Sequence, residues 1–221
     1  MKNFAFATIT ACSLIASAHA GYTSDVIAFT DRTEWQNAPT DGDIKLFPAG
    51  YSAEFYTETF KGLTSGPTVS GGADWASWTA NASVGSLDAT GTGLYAEQAG
   101  ATVTMNFTDT YKLPMGGVRG IGGGFQFVNG AGKPVAGRIW LKLSTGESII
   151  RTISSANQFI GFWVADPSQT ITSFQLQPMG GAASYFIGAE TMYLGTAVVP
   201  APGAIALLGA FGLLKSARRR R

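Results

Sequence analysis

The chain has 221 residues, and its 15 Lys and Arg side chains against 14 Asp and Glu give a formal net charge of +1. The single Cys and the single His, Cys12 and His19, both lie near the amino terminus. The rest of the sequence therefore excludes disulfides, Ser-His-Asp and Cys-His nucleophilic sites, and zinc sites built from His and Cys. Carboxylates, Lys, Tyr and Ser are the side chains that remain for chemistry there.

The first segment, residues 1–20, predicts a signal peptide. Lys2 supplies a positive charge, residues 4–15 are mostly apolar, and Ala18-His19-Ala20 has the small-x-small pattern that precedes signal-peptidase cleavage. We therefore expect the mature chain to begin at Gly21. A lipoprotein signal is the alternative, because Ile9-Thr10-Ala11-Cys12 fits a loose lipobox in which Cys12 would carry the lipid. Both interpretations export the protein.

Residues 21–196 predict a single domain, since a segment of this length can build one core. Six of the fifteen cations lie in the two terminal segments, which leaves nine cations against fourteen carboxylates and a net charge of −5 for the domain. An acidic domain is a poor partner for a phosphate backbone, so we expect no nucleic-acid partner.

One short helix and about ten strands are predicted in this domain. Asp31 stands as the N-cap residue of the helix, with Glu34 three residues on and Pro39 beyond its end. Segments rich in Thr, Val, Ile and aromatic residues between Gly and Pro predict the strands. Nine of those strands have defined ranges, which are Val26–Phe29, Glu54–Phe60, Thr102–Phe107, Gly117–Val128, Arg138–Leu143, Glu147–Ile153, Phe159–Val164, Ile171–Leu176 and Tyr185–Leu194. Short strands spaced in this way are typical of an all-β sandwich or jelly roll.

Some segments carry more specific predictions. Phe159–Val164 is apolar on both faces, which predicts a central strand that is covered on both sides. Gly122-Gly123-Gly124 indicates a bulge or a close approach to the backbone, and it lacks the following Lys and helix of a phosphate loop. Ser144-Thr145-Gly146 predicts a hairpin turn. Trp140 and Trp163 lie within apolar strands, so we predict that both are in the core.

Trp75 and Trp78 are candidate ligand-stacking residues. They lie three residues apart beside Gly71-Gly72, and an aromatic face can cover the apolar face of a sugar ring. The alternative, which we favour, is that both side chains pack in the core or anchor a loop.

The carboxylates predict no metal site and no cofactor. Asp25, Asp41 and Asp43 offer oxygen ligands for Ca²⁺, but the spacing of a calcium loop is missing and a solvated turn is the favoured interpretation. A pair of carboxylates for glycoside hydrolysis would have to come from Glu54, Glu58, Glu97, Glu147 or Glu190. Glu54 and Glu58 share one face of a predicted strand, as any strand with a polar face would allow.

Residues 197–221 predict a short apolar helix with a positively charged end. Pro200 and Pro202 interrupt any helix that precedes them, and Ala204–Leu214 is apolar throughout. Eleven helical residues extend roughly 16 Å, about half of the ~30 Å hydrocarbon core of a bilayer. The chain then ends in four consecutive arginines, Arg218, Arg219, Arg220 and Arg221. These would stay on the cytoplasmic side, so the preceding domain would lie outside.

This tail resembles a known sorting signal. Val199-Pro200-Ala201-Pro202-Gly203-Ala204, the apolar run and the arginine cluster are similar to the PEP-CTERM signal of Gram-negative bacteria. The resemblance implies recognition and cleavage by exosortase, a transient stage in the inner membrane, and delivery to the cell surface or the extracellular polymer matrix. Ala201 stands where the commonest form of the motif has Glu.

The order of elements in residues 21–196 is also similar to a small domain that PEP-CTERM proteins carry. Relatives often have an Asp-Asn pair near its end, where this chain has Ala189-Glu190. No ligand role is therefore transferred to that pair.

The sequence favours a non-enzymatic binding or structural module at the cell surface, with signal peptidase, exosortase and an extracellular polysaccharide as partners. A carbohydrate-active hydrolase or lyase that uses Asp, Glu or Tyr is the alternative, and a passive spacer is a third. Two carboxylates facing one cleft would indicate the enzyme. Exposed aromatic residues on a flat or shallow face would indicate binding.

Overall fold

A computed structural model describes residues 26–39, 52–89, 91, 93–108, 117–154, 156–165 and 169–198. These residues form fourteen strands, one α-helix (α1, Arg32–Asn37) and two short 3₁₀ helices (Asp74–Ala76 and Gly180–Ser184). The strands are β1 (Val26–Phe29), β2 (Ser52–Glu58), β3 (Thr68–Gly71), β4 (Trp78–Ala82), β5 (Leu87–Asp88), β6 (Leu94–Ala96), β7 (Val103–Phe107), β8 (Gly120–Val128), β9 (Pro134–Val135), β10 (Gly137–Leu143), β11 (Ser148–Ile153), β12 (Gln158–Val164), β13 (Ser173–Met179) and β14 (Phe186–Val198).

The strands form two antiparallel sheets. Sheet A has the order β1-β12-β8-β14-β6-β5, with β2 also paired to β14 and β9 to β8. Sheet B has the order β11-β10-β13-β7-β4-β3. The all-β sandwich predicted from the sequence is therefore confirmed. Five strands were not predicted, namely β3, β4, β5, β6 and β9, and none of them is longer than five residues.

The inner faces of the two sheets share one apolar core. Alternate residues of sheet A, such as Ile121, Phe125 and Phe127, contact alternate residues of sheet B within one buried cluster. The rings of Phe125 and Phe174 lie 5.6 Å apart between their centroids and connect β8 to β13. This core encloses the side chains that the strand alternation predicts to face inward.

Helix α1 begins as the sequence predicts. The backbone N–H of Glu34 donates to the Asp31 carboxylate at 2.9 Å, and the helix ends one residue before Ala38. Its buried Trp35 lies against the outer face of sheet A, where the indole N–H donates to the carbonyl of Phe162 at 3.0 Å. Trp163 donates in turn to the carbonyl of Trp35 at 2.8 Å, and the two indoles stack with centroids 5.3 Å apart. The predictions of a central β12 and a buried Trp163 are both confirmed.

Trp35 and Trp163, with Phe159 and Tyr193 packed against them, form the aromatic cluster on the outer face of sheet A. Glycines on the outer side of β8 make room for this aromatic cluster. A Cβ atom on Gly120 would lie 2.7 Å from the Trp163 ring, and one on Gly122 would lie 2.7 Å from the Phe159 ring. The glycine run therefore serves a close approach to the backbone, one of the two structures that we predicted. The bulge lies in β14 instead, where the register with β8 shifts between Ala189 and Thr191.

A buried carboxylate joins the two sheets at one end. Glu58 ends β2 of sheet A and is 6% exposed. It accepts hydrogen bonds from the Trp78 indole at 3.1 Å, the Gly72 N–H at 3.1 Å, the Phe60 N–H at 2.9 Å and the Tyr56 hydroxyl at 3.2 Å. The bond from Phe60 holds a left-handed turn, since its φ is 58°. Glu58 is thus a structural acceptor.

The predicted terminal segments lie outside the described residues. For the signal peptide this applies to the cleavage residues Ala18, Ala20 and Gly21. For the sorting signal it applies to Val199, Pro200, Ala201, Pro202, Gly203, Arg218, Arg219, Arg220 and Arg221, and to the apolar helix between them. Both signals therefore stay predictions from the sequence.

The boundary between the domain and its tail differs from the prediction. Strand β14 extends to Val198, so Ala197, assigned from the sequence to the tail, is instead 3% exposed in the aromatic cluster. No helix in the described part of the chain is long and apolar enough to cross a bilayer.

We predict that Glu58→Ala lowers the free energy of unfolding by about 3 kcal/mol, because it leaves buried N–H donors without an acceptor. Urea unfolding followed by tryptophan fluorescence measures the change. Glu54→Ala is the matched control, since Glu54 lies on the same face of β2 but is exposed, and we expect a change within about 0.5 kcal/mol. Equal losses in the two variants would contradict the role given to Glu58.

Candidate functional site: a polar groove on the outer face of sheet A

The outer face of sheet A has a groove beside the aromatic cluster, built by β5, β6, β8 and β14. Its volume is 610 Å³. The polar side chains that line it are Asp88, Tyr95, Glu97, Gln126, Asn129 and Glu190. Among the described residues that line the groove there is no Lys or Arg, so the groove is acidic.

Strand alternation places the central polar side chains on the groove side. Tyr95 lies between the buried residues Leu94 and Ala96, and Gln126 lies between Phe125 and Phe127, which are buried in the core. Because successive side chains point to opposite faces of a sheet, both polar side chains point outward.

The β14 bulge and a glycine complete the arrangement. The extra residue between Ala189 and Thr191 is Glu190, so the bulge lets Ala189 and Met192 both stay buried while Glu190 faces the groove. Gly188 pairs directly with Tyr95, and a Cβ atom at Gly188 would collide with the Tyr95 ring. The Tyr95 ring therefore lies against the backbone of β14 at Gly188.

Gln126 connects the two sides of the groove. Its Nε2 donates to the carboxylate of Glu190 at 2.8 Å and contacts the hydroxyl oxygen of Tyr95. The carboxylate needs a donor, which fixes the amide orientation with nitrogen toward Glu190. The side chain is 3% exposed, and its Oε1 has no hydrogen-bond partner among the described residues. Leaving a buried acceptor unpaired costs about 1–3 kcal/mol.

The environment of Tyr95 keeps its hydroxyl protonated. Burial raises the pKa of Tyr95 above its ordinary value of 10.0; the hydrogen bond with Gln126 opposes this increase, and the nearby Glu190 carboxylate reinforces it. A tyrosine that acts as a general base needs a lowered pKa. The groove therefore offers Tyr95 as a hydrogen-bonding and aromatic group, and its electrostatics disfavour the proton abstraction that a lyase would require.

The groove is suited to a ligand with several hydroxyl groups. Its carboxylates accept hydrogen bonds, while the Asn129 amide can both donate and accept. The Asn129 Oδ1 already accepts from the N–H groups of Ala131 and Lys133, which order the loop at one end. Ser65 likewise donates to Asp88 at 3.2 Å.

The structure separates the glutamates that the sequence grouped as catalytic candidates. Glu97 and Glu190 both line the groove. Glu54 is exposed, and the Glu58 carboxylate already accepts four hydrogen bonds. Glu147 lies in the β10–β11 hairpin of the other sheet. No three Asp, Glu, His or Cys side chains within the described ranges are close enough together to hold a metal ion, and Asp25, Asp41 and Asp43 lie outside those ranges.

The two tryptophans proposed as stacking residues do not form a platform. Trp78 is 1% exposed and donates to Glu58, so the stacking hypothesis is wrong for it and the core alternative is correct. Trp75 is half-buried and packs against the main core. Trp140, in contrast, was predicted to be in the core and is instead half-exposed on the outer face of sheet B, beneath Lys142.

Sequence reasoning missed Tyr95, Gln126 and Trp140 as candidate binding residues. For Gln126 and Trp140 the sequence did contain a signal, which is a polar or amphipathic residue between two apolar ones, as in Phe125-Gln126-Phe127 and Ile139-Trp140-Leu141. Asp88 and Tyr95 lie in strands too short to be recognised by alternation.

Comparisons with known proteins do not assign the chain to a family. No family model matches the chain, and no curated protein matches it. Among solved structures it is similar to the exo-β-1,3-galactanase of Phanerochaete chrysosporium crystallised with galactose, with 12% identity and a TM-score of 0.28. The match covers 64% of this chain and 29% of the galactanase. A likeness at this TM-score supports no conclusion about function.

We predict that alkaline pH destabilises the fold through two half-buried tyrosines, Tyr56 and Tyr95. Burial, together with Glu58, raises the pKa of Tyr56, and that of Tyr95 is also raised. Above about pH 10 the unfolded chain loses tyrosine protons that the folded chain retains, so the free energy of unfolding decreases. Urea unfolding from about pH 9 to about pH 11.5 measures this, and Tyr95→Phe should make the decrease shallower. An identical slope in that variant would contradict the assignment.

Proposed function

We propose that the β-sandwich is a non-enzymatic saccharide-binding module and that the groove on sheet A is its binding site. The observation that carries this proposal is the hydrogen-bonded cluster of Tyr95, Gln126 and Glu190 in the wall of a polar groove. The Tyr95 ring and the Glu190 carboxylate beside it are the aromatic and acceptor groups that a sugar ring needs.

The acidic lining of the groove favours a neutral saccharide. Asp88, Glu97 and Glu190 would repel uronate or phosphate groups, and they accept hydrogen bonds from sugar hydroxyls. The raised pKa of Tyr95 argues against the alternative of a lyase that uses Tyr as its base. Glu97 and Glu190 line the same groove, which is the observation that favours a glycoside hydrolase as the second candidate function.

We also propose that the protein is exported and delivered to the cell surface or extracellular matrix. The signal-peptide pattern of residues 1–20 and the PEP-CTERM-like pattern of residues 199–221 support this route, with signal peptidase and exosortase as the processing enzymes. A saccharide-binding module placed in a polysaccharide matrix would attach itself to that matrix.

We expect the full-length protein to bind neutral oligosaccharides through the groove. An array of neutral oligosaccharides identifies a binder, and isothermal titration then measures its Kd. Glu190→Gln and Tyr95→Phe should each weaken binding roughly tenfold, because the first replaces a charged acceptor oxygen with an amide donor and the second removes a hydroxyl. Both substitutions preserve side-chain shape, so the fold should persist.

Glu54→Gln is the matched control for this experiment. It removes the same charge from β2, on the exposed side of a strand that does not line the groove, and should leave the Kd unchanged. Failure of every neutral oligosaccharide to bind would overturn the proposal. Binding that is equally strong in all three variants would show that the saccharide occupies another surface.

The export route predicts a specific processed mass. Intact-mass analysis of protein recovered from the surface and medium of the native host should give a chain that begins at Gly21 and ends near Pro200. A membrane-bound protein that retains Arg218, Arg219, Arg220 and Arg221 would contradict exosortase processing. A mass that begins with a lipidated Cys12 would replace the ordinary signal peptide with the lipoprotein alternative.

A further inference from the structure

The charges of the two sheets are completely segregated. The charged residues within the strands of sheet A are all carboxylates: Glu54, Glu58, Asp88 and Glu190. Those within the strands of sheet B are all cations: Arg138, Lys142 and Arg151. A domain with a net charge of −5 therefore has one sheet whose strands contain no acidic residue.

The outer face of sheet B presents a polar row that crosses all six strands. The pairing registers align Ser148, Lys142, Gln175, Thr104, Asn81 and Thr68 from one edge to the other. Each of these side chains is exposed or half-exposed. At the usual spacing of about 4.8 Å between strands, the row is roughly 24 Å long. It matches an extended chain rather than a single small molecule.

An aromatic ring and a positive charge lie together beside this row. Trp140 pairs with Gln177 and Ile150 in the next row, and the Lys142 ammonium is 3.8 Å from the centre of its ring. Arg138 lies two residues before Trp140 on the same face and is exposed. Arg151 pairs with Ile139, which faces the core, so it belongs to the other side of the sheet. The cations of this face are therefore Arg138 and Lys142.

We propose that this face binds an extended anionic polysaccharide, such as a uronate polymer. Lys142 lies in the row and would pair with a carboxylate of the chain that follows it, while Arg138, four residues away along β10, adds positive charge beside the row. The amides and hydroxyls of the row would bond the ring hydroxyls. Trp140 would hold the Lys142 ammonium in place over its ring. Charge complementarity selects the ligand, because a neutral chain would leave both cations unpaired and a cationic polymer would be repelled.

The composition of the face favours a polysaccharide over an anionic membrane. Binding to a lipid surface depends on clusters of four to eight Lys and Arg, whereas this face has two cations among amides and hydroxyls. Directional hydrogen-bonding groups in register suit a polymer with a regular repeat. The face on sheet B contains no residue of the groove on sheet A, so an experiment can refute one binding site without refuting the other.

Affinity electrophoresis of the full-length protein in gels containing polygalacturonate tests the proposal. We expect retardation that weakens when the salt concentration is raised. Arg138→Gln combined with Lys142→Gln should weaken apparent binding roughly tenfold, since this face loses both of its cations. Trp140→Ala should weaken it by a similar factor without changing the charge. Thermal unfolding of each variant verifies that the fold is retained.

Lys61→Gln combined with Lys133→Gln is the charge-matched control. Both side chains are exposed in loops outside sheet B, so this variant should be retarded like the wild type. Equal weakening in the two double variants would overturn the proposal, because net charge alone would then explain binding. So would an absence of retardation by polygalacturonate. Binding to phosphatidylglycerol vesicles that depends on Arg138 and Lys142, while polygalacturonate is ignored, would assign the face to a membrane instead.

Discussion

The architecture of sheet A depends on the absence of side chains along one side of β8. Gly120, Gly122 and Gly124 occupy successive outward positions, and the Trp163 and Phe159 rings fill the space above the first two. The aromatic contacts between Trp35, Trp163 and Phe159 add stabilisation of about 0.5–1.5 kcal/mol per pair beyond the burial of their area. The aromatic rings no longer cover β8 at Gln126, which is the first outward-facing residue of this strand that is not glycine. The polar groove begins at Gln126. One strand thus sets the boundary between a second core and a candidate binding site.

The two faces of the sandwich have opposite chemical character. The uncovered part of sheet A is acidic and contains a buried amide with an unpaired oxygen. The outer face of sheet B is a flat polar surface with two cations and a tryptophan. A module with two such faces would hold two polymer chains at once, and linked contacts of this kind increase the apparent affinity without further contacts in either site.

The sequence was sufficient to predict the class of fold and most of the long strands. Alternation or continuous apolarity located β1, β7, β8, β10 and β12, and the capping box located α1. Strands such as β5 and β6 were missed, because two or three residues contain no period and their pairing is decided by distant partners. The short strands are therefore determined by contacts between segments that are distant in the sequence.

The candidate sites were harder to predict than the strands. Trp78 lies between Ser77 and Thr79 and is buried against Glu58, whereas Trp140 lies between Ile139 and Leu141 and is half-buried on the outer face of sheet B. The difference depends on which face of each strand the sandwich covers. Glu190 faces the groove only because a bulge adds a residue to β14, and Gln126 meets Tyr95 from a position 31 residues away. Contacts of this kind arise from tertiary packing, which local patterns do not encode.

The central claim is that the cluster of Tyr95, Gln126 and Glu190 marks a saccharide site. A crystal structure of the protein with a neutral oligosaccharide, determined at a resolution that shows ordered water, tests it most directly. We predict a sugar hydroxyl at about 2.8 Å from the Glu190 carboxylate, with the sugar ring near Tyr95. A saccharide bound elsewhere, or a groove that stays empty at saturating oligosaccharide, would contradict the claim.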